Sequence, residues 1–120
     1  MSIRVLVVED EALLAIDIAE YLTDAGFAVI GPATSVAKAL RLIGEGGCDV
    51  AVLDFNLRDE TAEAIAYELR ARGTPFIFLS GVSPERLPAS FEHTLLLPKP
   101  AHPAALVAAL KQSVNAVPDV

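Results

Sequence analysis

Apolar residues in this chain form several short, unbroken runs. Runs of four, such as residues 5–8 and 50–53, are typical of strands that are buried on both faces of a parallel sheet. Pro32 closes another run, which favours an edge position because proline donates no ladder hydrogen bond. The runs predict strands at residues 3–8, 28–31, 50–54, 75–79 and 94–97.

Between these runs, apolar residues recur at the three- and four-residue spacing of an amphipathic helix. The first such stretch places Leu14, Ile18 and Leu22 on one face and acidic residues on the other. By contrast, residues 82–93 contain two prolines, so the fourth helix should be short or poorly formed. Helices are therefore predicted at residues 11–25, after an N-cap at Ser35, at residues 61–72 and after Pro103.

The predicted strands and helices alternate, which is typical of a parallel sheet with helices on both faces. Right-handed crossovers leave few arrangements for five such strands. The simplest is a doubly wound, flavodoxin-like α/β fold with strand order 2-1-3-4-5, in which ligands bind where the carboxyl ends of the first and third strands meet. We expect residues 1–120 to form one domain of this class, because the length is near the commonest domain size.

Acidic residues follow both central strands of this sheet. Glu9 and Asp10 come directly after the first strand, and Asp54 ends the third. Three carboxylates at one edge would repel one another by roughly 4 kcal/mol per pair at an effective dielectric constant near 20. A divalent cation offsets such repulsion, and carboxylate oxygens with room for water suit Mg²⁺. The sequence therefore predicts a magnesium site at this edge.

Two further polar residues follow the neighbouring strands at the same edge, Ser80 after the fourth strand and Lys99 after the fifth. In such surroundings Asp54 can act as a nucleophile towards phosphorus, as carboxylates do in aspartyl-phosphate enzymes. Mg²⁺ and Lys99 would neutralise the phosphoryl oxygens during transfer, and Ser80 would donate a hydrogen bond to one of them in the product.

Composition narrows the choice of partners. The net charge of −7 leaves no basic stripe for phosphates, which argues against nucleic-acid binding. No apolar run approaches the roughly 20 residues of a membrane helix, and the N-terminus has no signal-peptide pattern. The single cysteine, Cys48, excludes a disulfide framework. We therefore expect a cytoplasmic protein.

A set of residues at predicted strand ends resembles the receiver domain of two-component response regulators: Glu9-Asp10, Asp54, Ser80 and Lys99-Pro100. The resemblance implies that Asp54 accepts a phosphoryl group from a histidine kinase or a phosphotransfer protein. It implies no enzymatic activity beyond this transfer and slow autodephosphorylation. It also implies Mg²⁺ on Asp10, Asp54 and the Asn56 carbonyl, with Glu9 acting mainly through water, and a cis Lys99–Pro100 bond.

The segment PFIFLSG at residues 75–81 is similar to a motif of the FAT GUY subfamily, whose members are often single-domain regulators paired with HWE-type kinases. Leu79 and Val82 depart from that motif. Leu96 stands where receivers commonly carry an aromatic switch residue, and the usual Pro and Gly after the acceptor loop are missing. These departures bear on the switch and leave the acceptor chemistry intact.

Other interpretations stay open beside this one. A pseudo-receiver, which binds partners without being phosphorylated, would normally lack an acid, the acceptor or the lysine, and none is missing here. The chain could also be the receiver part of a larger regulator. A phosphohydrolase is disfavoured, because haloacid-dehalogenase-like enzymes carry their acceptor on the first strand. Leu13 and Ile16, on the polar side of the first helix, are a candidate kinase-docking patch, whereas His93 and His102 are expected at the surface.

Overall fold

The computed structural model describes residues 2–81 and 87–115. The strands are β1 Arg4–Val8, β2 Ala28–Ala33, β3 Val50–Asp54, β4 Asn56–Leu57, β5 Glu60–Thr61, β6 Phe76–Ser80 and β7 Leu96–Pro98. The α-helices are α1 Ala12–Asp24, α2 Val36–Glu45, α3 Glu63–Ala71 and α4 Pro103–Asn115. Five strands form a parallel sheet in the order β2-β1-β3-β6-β7, while β4 and β5 form a separate hairpin. The predicted doubly wound order is confirmed.

The sheet is the middle layer of three. All five residues of β3 are buried, and alternate residues of β1 point to opposite sides, with Leu6 and Val8 in one apolar cluster and Val5 and Val7 in the other. Helices α2 and α3 cover the first side with Ala39, Ile43, Ile65 and Leu69. Helices α1 and α4 cover the second with Ile18, Leu22, Leu106 and Leu110. Two-sided burial explains the unbroken apolar runs of the central strands.

Local sequence signals set the first two helices. Ile18 and Leu22 of α1 are buried, as the helical spacing predicts, while Leu13 and Ile16 keep 80% and 51% of their surface exposed. Helix α2 begins after Ser35, whose Oγ accepts a hydrogen bond from the Lys38 N–H at 3.2 Å. The predicted N-cap is therefore confirmed.

Strand β2 is longer than the sequence predicts. Proline was expected to close it, but β2 continues through Pro32 to Ala33. The strand tolerates Pro32 because β2 lies at the edge of the sheet, where an N–H on the open side is not needed. Its last residue reaches the acidic edge, where the Glu9 N–H donates to the Ala33 carbonyl at 3.0 Å.

The segment between β6 and β7 is described only in part, since residues 82–86 lie outside the described ranges. The part that follows contains a short 3₁₀ helix, Ala89–Phe91. This agrees with the prediction that the helix between these two strands, the fourth in the predicted order, is short or poorly formed. Phe91 is fully buried, and the backbone then enters β7. Within the described ranges, no helix is both long enough and apolar enough to cross a bilayer.

Candidate functional site

The carboxyl ends of four neighbouring strands bring the predicted residues together. Strands β1 and β3 pair with Val8 opposite Leu53, which puts Glu9 level with Asp54. Strand β6 ends in Ser80, and β7 is followed by Lys99, whose N–H donates to the Ser80 carbonyl at 3.2 Å. The Lys99–Pro100 bond is cis, as the resemblance implies. Parallel pairing alone therefore assembles residues that lie 90 positions apart in the chain.

Three carboxylates form the centre of the site. Glu9 is fully buried, Asp54 is 3% exposed and Asp10 is half-buried. One oxygen of each lies within 4.8 Å of the others, a separation that suits shared coordination of one cation. Without a cation, the cluster is held together against considerable like-charge repulsion.

Lys99 offsets part of this negative charge. Its ammonium lies 2.9 Å from Glu9 Oε1 and 3.1 Å from Asp54 Oδ2, and it donates a hydrogen bond to the latter. Burial by itself lowers the pKa of Lys99, but the contacts with Glu9 and Asp54 outweigh burial and raise it above its usual value. Lys99 is therefore a fixed positive charge over the ordinary pH range.

The pKa values of the two aspartates are shifted in opposite directions. Burial raises the pKa of Asp54 to about 7, and the neighbouring charge of Glu9 adds to the increase, while Lys99 opposes it. Burial also disfavours the ionised form of Asp10, but hydrogen bonds with Glu9 and from the Arg58 N–H hold the pKa of Asp10 below its usual value. Asp10 is thus ionised at neutral pH, whereas Asp54 is poised to gain or lose a proton there.

Backbone N–H groups orient the acids. Glu9 Oε2 accepts from the Glu11 N–H at 3.1 Å, and Asp10 Oδ2 accepts from the Arg58 N–H at 3.0 Å. Neither donor is predictable from the sequence, because a backbone N–H carries no residue-type signal. No strand is predicted between residue 54 and the helix at 61–72, but residues 56–61 form the β4–β5 hairpin that presents Arg58. Asn56, the predicted carbonyl ligand, lies in β4 and pairs with Thr61.

The remaining predicted residues fall into two groups, a buried serine next to the strand of Asp54 and two histidines outside the acidic cluster. Ser80 is 2% exposed at the end of β6, next to the strand that carries Asp54. His93 has a 94% exposed side chain, as the sequence predicts. His102 Nδ1 accepts from the Ala104 N–H at the start of α4. Neither histidine belongs to the acidic cluster.

The donor set fits Mg²⁺. It consists of hard carboxylate oxygens, and one acid is less buried than its two neighbours, which leaves room for water ligands. Glu9 Oε1 is buried and accepts no well-directed hydrogen bond within the described residues, although the Lys99 ammonium is 2.9 Å away. A buried carboxylate oxygen without a well-directed hydrogen bond is stabilised by a nearby cation, or by a water molecule that the cation holds.

Comparisons with known proteins agree with this geometry. The model of the response regulator receiver domain family matches residues 5–111. The chain is similar to the phyllosphere-induced regulator PhyR of Methylorubrum extorquens, with 29% identity over 119 residues that cover 95% of this chain and 44% of PhyR. The chain thus spans less than half the length of that relative.

Two solved structures are similar over nearly their whole length. One is a response regulator receiver protein from Sinorhizobium medicae, with 28% identity, a TM-score of 0.82 and 98% of each chain covered. The other is the BeF₃-activated conformation of SdrG from Pseudomonas melonis, with 35% identity, a TM-score of 0.77 and coverage of 90% of this chain and 92% of that one. Because the family model covers most of the chain and the fold and acidic edge agree with it, the chain belongs to the response regulator receiver domain family.

Proposed function

We propose that this receiver domain takes a phosphoryl group from a histidine kinase, or from a phosphotransfer protein, onto Asp54 and signals through protein–protein contacts. The observation that carries the proposal is Asp54 itself, which is 3% exposed, ends β3 and has the Lys99 ammonium 3.1 Å from Oδ2. A fixed cation beside the nucleophile favours its ionised form and meets the negative oxygens of the incoming phosphoryl group.

The proposed transfer follows ordinary phosphoryl chemistry. An Asp54 oxygen attacks phosphorus, the new P–O bond forms, and the P–N bond to the kinase histidine breaks with its electron pair staying on the imidazole. Lys99 turns from its contacts with Glu9 and Asp54 towards the phosphoryl oxygens. Ser80, at the end of the adjacent strand, donates its hydroxyl to a phosphoryl oxygen of the product.

The metal belongs to the same proposal. Asp10, Asp54 and the Asn56 carbonyl would hold Mg²⁺, with Glu9 acting mainly through water, and the bound ion would supply positive charge to the phosphoryl oxygens. Asp10 suits this role because its lowered pKa keeps it ionised at neutral pH. Arg58, through its N–H, fixes the orientation of Asp10 in advance of binding.

The partner follows from the resemblance and from one exposed surface. The PFIFLSG segment favours an HWE-type kinase, and Leu13 and Ile16 offer an exposed apolar patch on α1, next to the acidic edge, for kinase docking. We further propose that residues 1–120 act as one receiver domain in the cytoplasm, with no catalysis beyond phosphorylation and slow dephosphorylation of Asp54. The downstream partner would be a protein and not a nucleic acid, given the net charge of −7.

Beryllofluoride tests whether the site has the geometry of a phosphoacceptor. The relative SdrG has a BeF₃-activated conformation, so we expect BeF₃⁻ with Mg²⁺ to shift the backbone NMR signals of Glu9, Asp54, Ser80 and Lys99. Asp54→Ala should abolish these shifts, and Asp59→Ala, which removes an exposed acid of the nearby hairpin, should keep them. An unchanged wild-type spectrum would favour the pseudo-receiver.

A further inference from the structure

A short hairpin follows Asp54 in this chain. Strands β4 and β5 pair with Asn56 opposite Thr61 and Leu57 opposite Glu60, and Arg58 and Asp59 form the turn between them. The hairpin starts two residues after the proposed phosphoacceptor and contains the proposed carbonyl ligand. Its position therefore determines part of the candidate metal site.

The hairpin is tied to the rest of the molecule at two polar points. At the turn, the Arg58 N–H donates to Asp10 Oδ2 at 3.0 Å, which is a direct contact with the acidic cluster. On β5, Glu60 Oε2 accepts from the Val36 N–H at 3.1 Å, which is a contact with the first residue of α2. Leu57 adds an apolar anchor, since it is 3% exposed in the core.

The contact at α2 is chemically well matched. The first N–H groups of a helix have no partner within the helix, and the helix dipole favours a negative charge beside them. Ser35 accepts only from Lys38, so Glu60 takes a second of these N–H groups from outside the helix. Neither Ser35 nor Glu60 forms a hydrogen bond with an acid of the cluster in the described part of the chain, so the hairpin is the structural route by which Glu60 could affect the cluster's geometry.

We propose that Glu60 is a positioning residue for the candidate metal site. By fixing β5 to the start of α2, Glu60 holds the turn where the Arg58 N–H meets Asp10 and fixes the backbone at Asn56. The inference rests on the proposed function for its metal. The hydrogen bond from the Val36 N–H to Glu60 Oε2, called the tie below, exists in the metal-free protein.

Three variants separate the tie from charge and from folding. Glu60→Ala removes the acceptor, whereas Glu60→Gln keeps an acceptor oxygen without the charge. Val36→Pro removes the donor instead: proline is favoured at the first helical position, and Ser35 already has the extended backbone, φ −147° and ψ 161°, that precedes proline. Asp59→Ala is the matched control, because it deletes an acid of the same hairpin that makes no described hydrogen bond.

The first measurement is amide hydrogen exchange of Arg58 in the metal-free proteins. Glu60→Ala and Val36→Pro should both speed exchange at Arg58 by roughly tenfold, since loosening the hairpin exposes its N–H to solvent. Glu60→Gln and Asp59→Ala should stay within about twofold of the wild type. Exchange in the core strand β3 should rise by less than exchange at Arg58, because core amides exchange through global unfolding and report overall stability.

The second measurement is Mg²⁺ affinity by NMR titration. Glu60→Ala and Val36→Pro should weaken it by roughly tenfold, the low end of the range for contacts that orient metal ligands. Equal losses in Glu60→Ala and Asp59→Ala would show a general charge effect and overturn the inference, as would unchanged Arg58 exchange in both tie variants. A wild type that binds no Mg²⁺ would instead overturn the proposed metal site, and Arg58 exchange would still decide whether the tie holds the hairpin.

Discussion

At the scale of single residues, Asp54 experiences opposing influences on its charge. Burial and the charge of Glu9 favour its protonated form, while Lys99, 3.1 Å away, favours the carboxylate. The pKa of about 7 is the net result, so Asp54 is only partly ionised near neutral pH. The ionised carboxylate of Asp54 is therefore a source of instability in the metal-free fold.

We predict that Asp54→Asn stabilises the metal-free protein at pH 8. The folded pKa of about 7 lies above the ordinary 3.8, so stability is full below the unfolded value and is lost as pH rises through the folded one. An amide has no such dependence and escapes the repulsion from Glu9. Urea unfolding without Mg²⁺ should show a gain on the order of 2 kcal/mol at pH 8 and a smaller one at pH 5. Equal stability of the two proteins at pH 8 would contradict the electrostatic account of the site.

These site residues are predictable from the sequence because parallel strands bring their carboxyl ends together. Glu9, Asp54 and Lys99 each follow an apolar run, and that pattern alone indicates one edge. It does not give the 2.9 Å approach of Lys99 to Glu9 or the raised pKa of Asp54, since both depend on side-chain packing and burial.

At the scale of elements, the turn before β7 is held by aromatic packing. Phe91 lies edge-on to Phe78 at 5.4 Å between ring centroids and contacts the Tyr67 ring of α3 at 5.0 Å. The Arg70 guanidinium lies 4.8 Å from the Phe91 ring centre, and the Tyr67 hydroxyl forms a hydrogen bond with Ser90 Oγ at 2.9 Å. This three-residue 3₁₀ helix thus gains packing against α3 and β6 in addition to its own backbone hydrogen bonds, such as the 2.9 Å bond from the Phe91 N–H to the Pro88 carbonyl.

Phe91→Ala should therefore be strongly destabilising. Phe91 is fully buried, and truncating such a phenylalanine typically costs about 3–5 kcal/mol of unfolding free energy. Leu95→Ala, four residues later and 44% exposed, should cost less than about 1 kcal/mol. Chemical denaturation of the three proteins checks this, and a Phe91→Ala loss no larger than that of Leu95→Ala would show that the turn does not depend on its aromatic core.

Elements that depend on distant partners were the hardest to predict. The hairpin has no alternating apolar pattern, and it is held by Asp10 and by the start of α2, both far away in sequence. The length of β2 had a similar cause, because its final hydrogen bond comes from Glu9 across the sheet. The long strands and helices, by contrast, carry their own periodicity and were predicted to within a few residues.

At the scale of the whole molecule, negative charge dominates. The chain has 16 acidic and 9 basic residues, and three of the acids meet at one edge of the sheet. Lys99 is the one cation within ion-pair distance of that cluster among the described residues. A divalent cation would thus relieve both the local repulsion and part of the overall charge.

Mg²⁺ should accordingly raise the stability of the folded chain. A ligand that binds the native state alone stabilises it by about 2.7 kcal/mol at a concentration 100 times its dissociation constant. Thermal melting with MgCl₂, compared with NaCl of equal ionic strength, should show an increase in Tm for the wild type and for Asp59→Ala. The increase should largely disappear in Asp10→Ala. An Asp10→Ala increase as large as that of the wild type would place the ion elsewhere.

Phosphorylation of Asp54 is the central claim, and intact mass spectrometry after incubation with acetyl phosphate and Mg²⁺ tests it most directly. We predict that the wild type gains one phosphoryl group, about 80 Da, that Asp59→Asn gains it equally, and that Asp54→Asn gains none. A wild type that keeps its original mass, or an Asp54→Asn variant that still gains the phosphoryl group, would contradict the account.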